Sequence, residues 1–283
     1  MIVGFDWGNN ETKIVCPIGL IKFPSQIGEY SERNLESKHG DYDMSFEHKG
    51  RKGFAGTLAL ESDFGGSIMG ESKSHQDALI RLLLGLFHCG NSTSYQVVVG
   101  QPISMHTPAE KKAIKDMIIG KHTITVNDFT RTFTITDCEI AAEGGASFWS
   151  APVSGTVRII DVGSATINCA SLINKKYLNK DSFTLPFGME TIQTNDLNDL
   201  ARGIYSNTSK RWKKEDAVLL IGGVAKSLVE PMRAYYPNVE VMKSTVKENG
   251  TINEVEPIFA NAAGFYAIGR GLYDINKKQK RSV

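Results

Sequence analysis

Cysteine is scarce and scattered: four residues, Cys16, Cys89, Cys138 and Cys169, with no Cys-x-x-Cys pair among them. That spacing excludes a zinc ribbon and argues against a disulfide-stapled scaffold, so reduced, buried thiols are expected. An excess of either charge is equally lacking. Lys plus Arg number 32 against 31 Asp plus Glu, a formal net charge of +1, whereas chains that bind bare nucleic acid or an anionic membrane carry a clear basic excess. No long apolar run occurs either. The most hydrophobic stretch, 79–87, contains Arg81 and is under half the ~20 residues of a membrane span. The opening MIVGFDWGNNETKIV has neither the basic nor the apolar region of a signal peptide. Histidines show no His-Glu-x-x-His or paired spacing, and no Gly-x-Ser-x-Gly elbow is present. Residues 65–70 approach a P-loop, but Glu71 stands where the Lys is needed. These absences lead us to expect a soluble, cytoplasmic protein with no membrane partner and no direct nucleic-acid partner.

What is present is enough apolar residue, 41% of 283, for a sizeable core in one large or two small domains. The pattern predicts a strand over 2–6 and a second hairpin arm over 12–15, then loop with short edge strands over 26–52. A strand running into a loop is expected over 53–60. A helix is expected over 74–88 from the spacing of Ala78, Leu79, Leu82, Leu83 and Leu86. A buried strand at 95–100 precedes a helix capped by Thr107 with Pro108 at its first position. Strands are expected at 122–126 and 130–136, and a helix at 143–149. Near residue 155 the pattern restarts: strand 157–161, hairpin arm 166–172, a third strand over 176–185, helix 188–203 and buried strand 217–221. A helix from Gly222-Gly223 to about Tyr235, a short strand at 239–242 and a long helix over 257–273 complete it. The basic tail 277–281 reads as a frayed, solvated end.

The restart is the most informative feature. IVGFDWGNNETKIV and VRIIDVGSATINCA align as strand, Asp, x, Gly, turn, strand, with Asp6 and Asp161 in register. A spacing this large means two similar domains, 1–150 and 151–283, rather than a solenoid. Tight turns at Gly8 and Gly163 can expose successive backbone N–H groups to phosphate oxygens. Lys13 can reach a β- or γ-phosphate as a point charge. Asp6 and Asp161 at the strand ends suit a hydrated Mg²⁺. Each Asp could instead merely close its own turn through side-chain to backbone bonds; a pair of such hairpins makes the nucleotide reading the stronger one. Gly222 and Gly223, directly after a buried strand, allow a flat ring or ribose to approach the backbone.

Asp6-x-Gly8 with Lys13, Asp161-x-Gly163, and Ile221-Gly222-Gly223 resemble the phosphate 1, phosphate 2 and adenosine motifs of the superfamily of actin, the sugar kinases and the heat-shock chaperone ATPases. Together with GFAGTLAL and VVVGQPIS, their order most resembles the bacterial plasmid-segregation actin-like proteins of the ParM and AlfA kind. The resemblance covers essentially the whole chain. It implies an α/β, actin-like (ribonuclease-H-like, duplicated) fold with two domains around a nucleotide cleft, and two connecting helices near 143–149 and 260–271. It further implies an ATPase that binds ATP and ADP with Mg²⁺ and assembles with itself into filaments. Such filaments segregate plasmid DNA through a DNA-binding adaptor protein at a centromere site. By position, Asp6 and Asp161 would hold Mg²⁺ through water. Gly8, Asn9, Asn10 and Lys13 would line the phosphates on one side, Gly163 and Ser164 on the other. Glu143, at the head of the first connecting helix, would orient the attacking water. Gly188, Gly222 and Gly223 would border ribose and adenine.

Two departures stand out. Position 9 is often a hydroxyl residue in the family and is Asn here, which puts hydrolysis rate and nucleotide choice in doubt and keeps a non-hydrolysing, nucleotide-binding scaffold open. Only 204–216, IYSNTSKRWKKED, separates the helix expected after phosphate 2 from the adenosine strand. That is too short for a packed subdomain, so the second domain's extra subdomain should be largely missing, as in an AlfA-like arrangement. The alternative function is a small-molecule kinase of the same superfamily, of pantothenate or sugar kinase type. It would need a carboxylate base beside an acceptor hydroxyl, and no Asp besides the two Mg²⁺ candidates stands out for it.

Overall fold

The computed structural model describes residues 1–32, 40, 42–60, 62, 72–194, 196–248 and 250–274; the expectations for 65–70, Glu71 and 277–281 lie outside them. The first half builds a nine-stranded sheet from β1 (Ile2–Trp7), β2 (Glu11–Cys16), β3 (Gly19–Pro24), β4 (Ile27–Glu29), β5 (Asp43–His48), β6 (Arg51–Gly56), β7 (Ser94–Gln101), β8 (Gly120–Val126) and β9 (Phe129–Ala142). Their order is β3-β2-β1-β7-β9-β8-β5-β6-β4. The second half builds a sheet from β10 (Thr156–Val162), β11 (Ile167–Ile173), β12 (Lys176–Tyr177), β13 (Phe183–Leu185), β14 (Ala217–Gly222) and β15 (Val239–Val241), ordered β12-β11-β10-β14-β15 with β13 beside β11. A hairpin of β16 (Thr245–Glu248) and β17 (Thr251–Glu254) stands apart. The helices are α1 (Thr57–Leu60), α2 (Gln76–His88), α3 (Pro108–Ile118), α4 (Leu197–Thr208), α5 (Ala225–Arg233) and α6 (Ala260–Gly269).

The duplication read from sequence is therefore a duplication of topology. In each sheet two antiparallel arms precede a parallel trio: β1, β7 and β9 in one, β10, β14 and β15 in the other. Strands β1 and β10 are almost wholly buried, as central strands covered on both faces must be. Register carries the equivalence to single residues. Asp6 lies opposite Lys13 in the first hairpin, and Asp161 opposite Asn168 in the second.

Local signals explain most elements. Thr107 accepts a hydrogen bond from Glu110 N with Pro108 behind it, as expected for the start of α3. The β8–β9 turn has Asn127 and Asp128 both at positive φ, and Asn174 and Lys175 repeat that geometry between β11 and β12; paired left-handed residues match the twist of a two-residue hairpin. Leucines of α2 form one core with β1, β7 and β9. Helices α4 and α5 cover β10 and β14 in a second core.

Helix α6 is buried nearly all round, the signature of a helix inside a core. It packs on β1 and β7 of the first sheet although it belongs to the second half of the chain. A Cβ at Gly4 would sit 2.2 Å from Ala262 O, and one at Gly264 2.2 Å from Ala146 O. Both contacts therefore require glycine.

Several expectations are corrected. The 143–149 segment is no α-helix. Glu143 leaves β9, Gly144 turns with φ of 71°, and a six-residue 3₁₀ segment follows at Gly145–Ser150. A left-handed residue cannot continue a right-handed helix. The third strand over 176–185 splits into β12 and β13 around a 3₁₀ turn, Asn179–Asp181, where the Ser182 hydroxyl donates to Leu178 O. The helix placed at 188–203 begins only after Asp196, whose side chain caps α4, and runs to Thr208. Among the described residues of 26–52, β4 is a short edge strand as expected, whereas β5 lies inside the main sheet, paired over six residues with β6 and also with β8. After β6 the chain enters α1, four residues long, instead of a loop. The missing subdomain stands as expected: α4 is followed within nine residues by β14. Trp212 closes that corner, buried, donating from Nε1 to Asp181 O at 2.9 Å under the guanidinium of Arg158. Arg158 in turn pairs with Asp216 at 2.8 Å.

Candidate functional site

The two hairpins open into one cavity of about 440 Å³. Its first wall is the β1–β2 turn. Here the Ser25 hydroxyl donates to Gly8 O at 2.6 Å and Ser25 N to Asn10 O at 2.8 Å, which fixes the loop from behind. A Cβ at Gly8 would lie 2.7 Å from Glu11 O and 3.2 Å from Lys13 Nζ, so the turn is closed tightly and the Lys13 ammonium sits over it. The opposite wall is the β10–β11 turn. Gly163 N bonds Thr166 O at 3.0 Å, and the 188–190 segment laces to it through Met189 N to Gly163 O and Glu190 N to Ser164 O. Gly222, with φ of 97°, turns the chain out of β14; this is backbone that glycine adopts and other residues resist. Gly222, Gly223, Val224, Pro257 and Ile258 line the far end of the cavity, a mostly apolar wall.

Every residue assigned to the site from sequence lines this cavity except Gly188. A Cβ at Gly188 would lie 2.5 Å from Gly163 O, so this glycine supports the second turn from behind. Three residues escaped the sequence reading: Lys73, Asn168 and Asn261. Asn168 Nδ2 donates to Glu143 Oε2 at 3.1 Å. Asn261, on α6, donates from Nδ2 to Asp161 Oδ2 at 2.9 Å and accepts from Gly144 N through Oδ1 at 2.9 Å. Lys73 donates to Asn9 Oδ1 at 2.7 Å. Asn168 was available from the repeat, because it occupies the position of Lys13. Asn261 was visible as the one amide in an otherwise apolar helix. Lys73 lies in a polar stretch with no motif.

Three buried acids, with Lys13 and Lys73, make the cavity electrostatically tense. Asp6 and Asp161 are each 7% exposed, Glu143 8% and Lys73 3%. Burial pushes Glu143 up to about 8 against the pull of Lys73, with Asp6 and Asp161 raising it further. Burial likewise pushes Asp161 up to about 6, opposed first by the Asn261 hydrogen bond. Asp6 is raised by burial, with Lys13 and Lys73 working the other way. Burial lowers Lys73, and the Glu143 charge opposes that. Charged groups crowded out of water shift toward neutrality unless a counter-charge joins them.

The donor set fits Mg²⁺ arriving with phosphate. Among the described residues no three Asp, Glu, His or Cys side chains form a metal cage. Two carboxylates from opposite walls are what an ion needs when waters and phosphates complete its octahedron.

The family model described as "Actin like proteins N terminal domain" matches residues 4–145, half of the chain. This chain belongs to the actin-like proteins. Solved actin-like structures align over nearly its whole length. An AlfA filament bound to AMPPNP is 22% identical with a TM-score of 0.73, covering 99% of this chain and 98% of that one. The filament of AlfA from B. subtilis plasmid pLS32 is 21% identical with a TM-score of 0.75, over 96% and 98%. A 15-stranded ParM filament from Clostridium botulinum is 18% identical with a TM-score of 0.78, over 96% and 99%. At these identities the likeness establishes the actin-like fold. No curated protein sequence matches the chain. Among the described residues no helix is long and apolar enough to cross a membrane.

Proposed function

We propose that this actin-like protein is a polymerising ATPase whose filaments segregate plasmid DNA through an adaptor bound at a centromere site. The observation that carries the catalytic half is the meeting of Asp6, Asp161 and Glu143 in one cavity with Lys13 and both turn loops. Likeness to AlfA and ParM filaments, one of them bound to AMPPNP, supports the assembly half. The near-zero net charge supports engagement of DNA through an adaptor rather than by direct contact.

In this reading the domains 1–150 and 151–283 close on the nucleotide. Gly8, Asn9, Asn10 and Lys13 hold the phosphates from one side, Gly163 and Ser164 from the other. Gly222 and Gly223 border the base and ribose, with Gly188 bracing the second loop. Asp6 and Asp161 hold Mg²⁺, which supplies charge neutralisation on the phosphates. Glu143, fixed by Asn168, orients the attacking water and draws off its proton. A carboxylate whose proton affinity is raised toward neutrality is suited to that role. Tighter binding of ATP to the assembled than to the free form then drives assembly, and hydrolysis to ADP, which lacks that preference, weakens it.

Phosphate release measured against protein concentration, without any acceptor, tests this reading. Turnover per chain should rise sharply above a threshold concentration, because assembly and hydrolysis are linked. No phosphate release at any concentration, with ADP and a phosphorylated product formed only when a hydroxyl acceptor is added, would instead identify a kinase.

A further inference from the structure

Lys73 is a costly residue where it stands. It is 3% exposed, it lines the cavity, and among the described residues no carboxylate lies within 4 Å of its ammonium. Its one hydrogen bond to those residues is the 2.7 Å bond to Asn9 Oδ1. An ammonium carries three donors, so two have no acceptor among the described residues. Buried charges persist where they are paired or meet a ligand.

The position is built rather than accidental. Ser72 and Ser74, on either side, both donate to Glu110 Oε2 at the start of α3, at 3.0 and 3.3 Å, and Gln101 Nε2 donates to the same oxygen at 3.3 Å. The segment is thereby pinned to the end of β7 and to α3. Lys73 lines the same cavity as Glu143 and Asp6; both acids favour its charge, and Arg81 and Lys13 oppose it. Lys13 approaches from the β1–β2 turn, Lys73 from the stretch before α2.

We infer that Lys73 is a second phosphate-binding cation, which contacts the terminal phosphate of the nucleotide together with Asn9 and so distinguishes triphosphate from diphosphate. This rests on the nucleotide reading above. Asn9 Oδ1 accepts from Lys73, so the residue standing where the family often carries a hydroxyl is tied to a cation suited to the same phosphate. Loss of the terminal phosphate removes the acceptor that satisfies the spare donors of Lys73, and its ammonium is then left with Asn9 and the acids. The segment 72–74, linked to α3 through Glu110, is the part of the protein that would register the change.

The test is equilibrium binding of AMPPNP and of ADP, each with Mg²⁺, to dilute unassembled protein, for wild type and Lys73→Gln. A charge-assisted contact confined to the terminal phosphate predicts at least about a tenfold loss for AMPPNP and less than about twofold for ADP. Lys73→Arg, which keeps the charge, should retain most of the preference for AMPPNP. Should Lys73→Gln lose its native circular dichroism, Lys73→Met, which keeps the apolar stem, carries the same comparison. Equal losses for both nucleotides, or none, would overturn the inference while leaving the nucleotide reading intact. Wild-type protein that binds neither would overturn both.

Discussion

Asn261 Nδ2 donates to Asp161 Oδ2 at 2.9 Å, across 100 residues of chain. Through its other amide atom Asn261 also holds the backbone N–H of Gly144, next to Glu143. One buried side chain on α6 thus ties the second hairpin's acid to the turn that carries the first sheet's acid. Because α6 packs on β1 and β7, this amide lies at the crossing of the two halves.

Replacing Asn261 by Ala leaves a buried carboxylate oxygen and a buried N–H without this partner. The expected cost is about 1–3 kcal/mol of unfolding free energy, read from urea denaturation. Asn261→Asp should cost more, since it sets a second carboxyl against Asp161. Unchanged midpoints in both variants would show that the amide is dispensable.

Glu143→Gln keeps a hydrogen-bonding group beside Asn168 but removes the base. We expect nucleotide affinity within about twofold of wild type, hydrolysis reduced at least about a hundredfold, and filaments that persist longer after assembly. Phosphate-release and light-scattering decay measurements check this; lost nucleotide binding would mean that Glu143 serves the ligand rather than the water.

Asp161→Ala removes one of the two carboxylates proposed to hold the metal. Hydrolysis should fall to background in phosphate-release assays at any Mg²⁺ concentration. Wild-type turnover in that variant would remove Asp161 from the mechanism.

Stability of the nucleotide-free protein should depend on pH through the same acids. Glu143 is pushed up from 4.5 to about 8 in the folded state, so the folded chain binds more protons than the unfolded one between those values. Its contribution therefore makes stability fall as pH rises through that window. Thermal melts of wild type and Glu143→Gln from pH 4.5 to 8 should show the wild type losing ground steadily to the variant. Parallel curves would mean that Glu143 is not held in the buried, acid-crowded setting described.

Much of the site was legible because its residues sit where the chain repeats. Strand, Asp, x, Gly, turn and strand recur twice, and the register Asp6–Lys13 and Asp161–Asn168 shows that the sequence alignment had the structural equivalence right. Helices α2 and α3 followed from apolar spacing and from Thr107-Pro108. What escaped was set by contacts distant in sequence. Glu143 heads no helix because a left-handed Gly144 intervenes, and nothing local distinguishes Gly144-Gly145 from a glycine pair inside a helix. The start of α4 is delayed because 188–190 laces onto the Gly163 loop. Lys73 is functionally readable only once its burial and its partner Asn9 are seen. The β6 half of the β5–β6 hairpin was readable in GFAGTLAL, whereas β5 was hidden by its polar composition and is held in the sheet by β8.

Nucleotide-driven assembly is read out by sedimenting purified protein with Mg²⁺ and ATP, AMPPNP, ADP or no nucleotide. The protein should pellet with ATP and AMPPNP, with reversal as ATP is converted to ADP, and should not pellet with ADP or without nucleotide. Protein that binds ATP yet stays in the supernatant under every condition would contradict nucleotide-driven assembly.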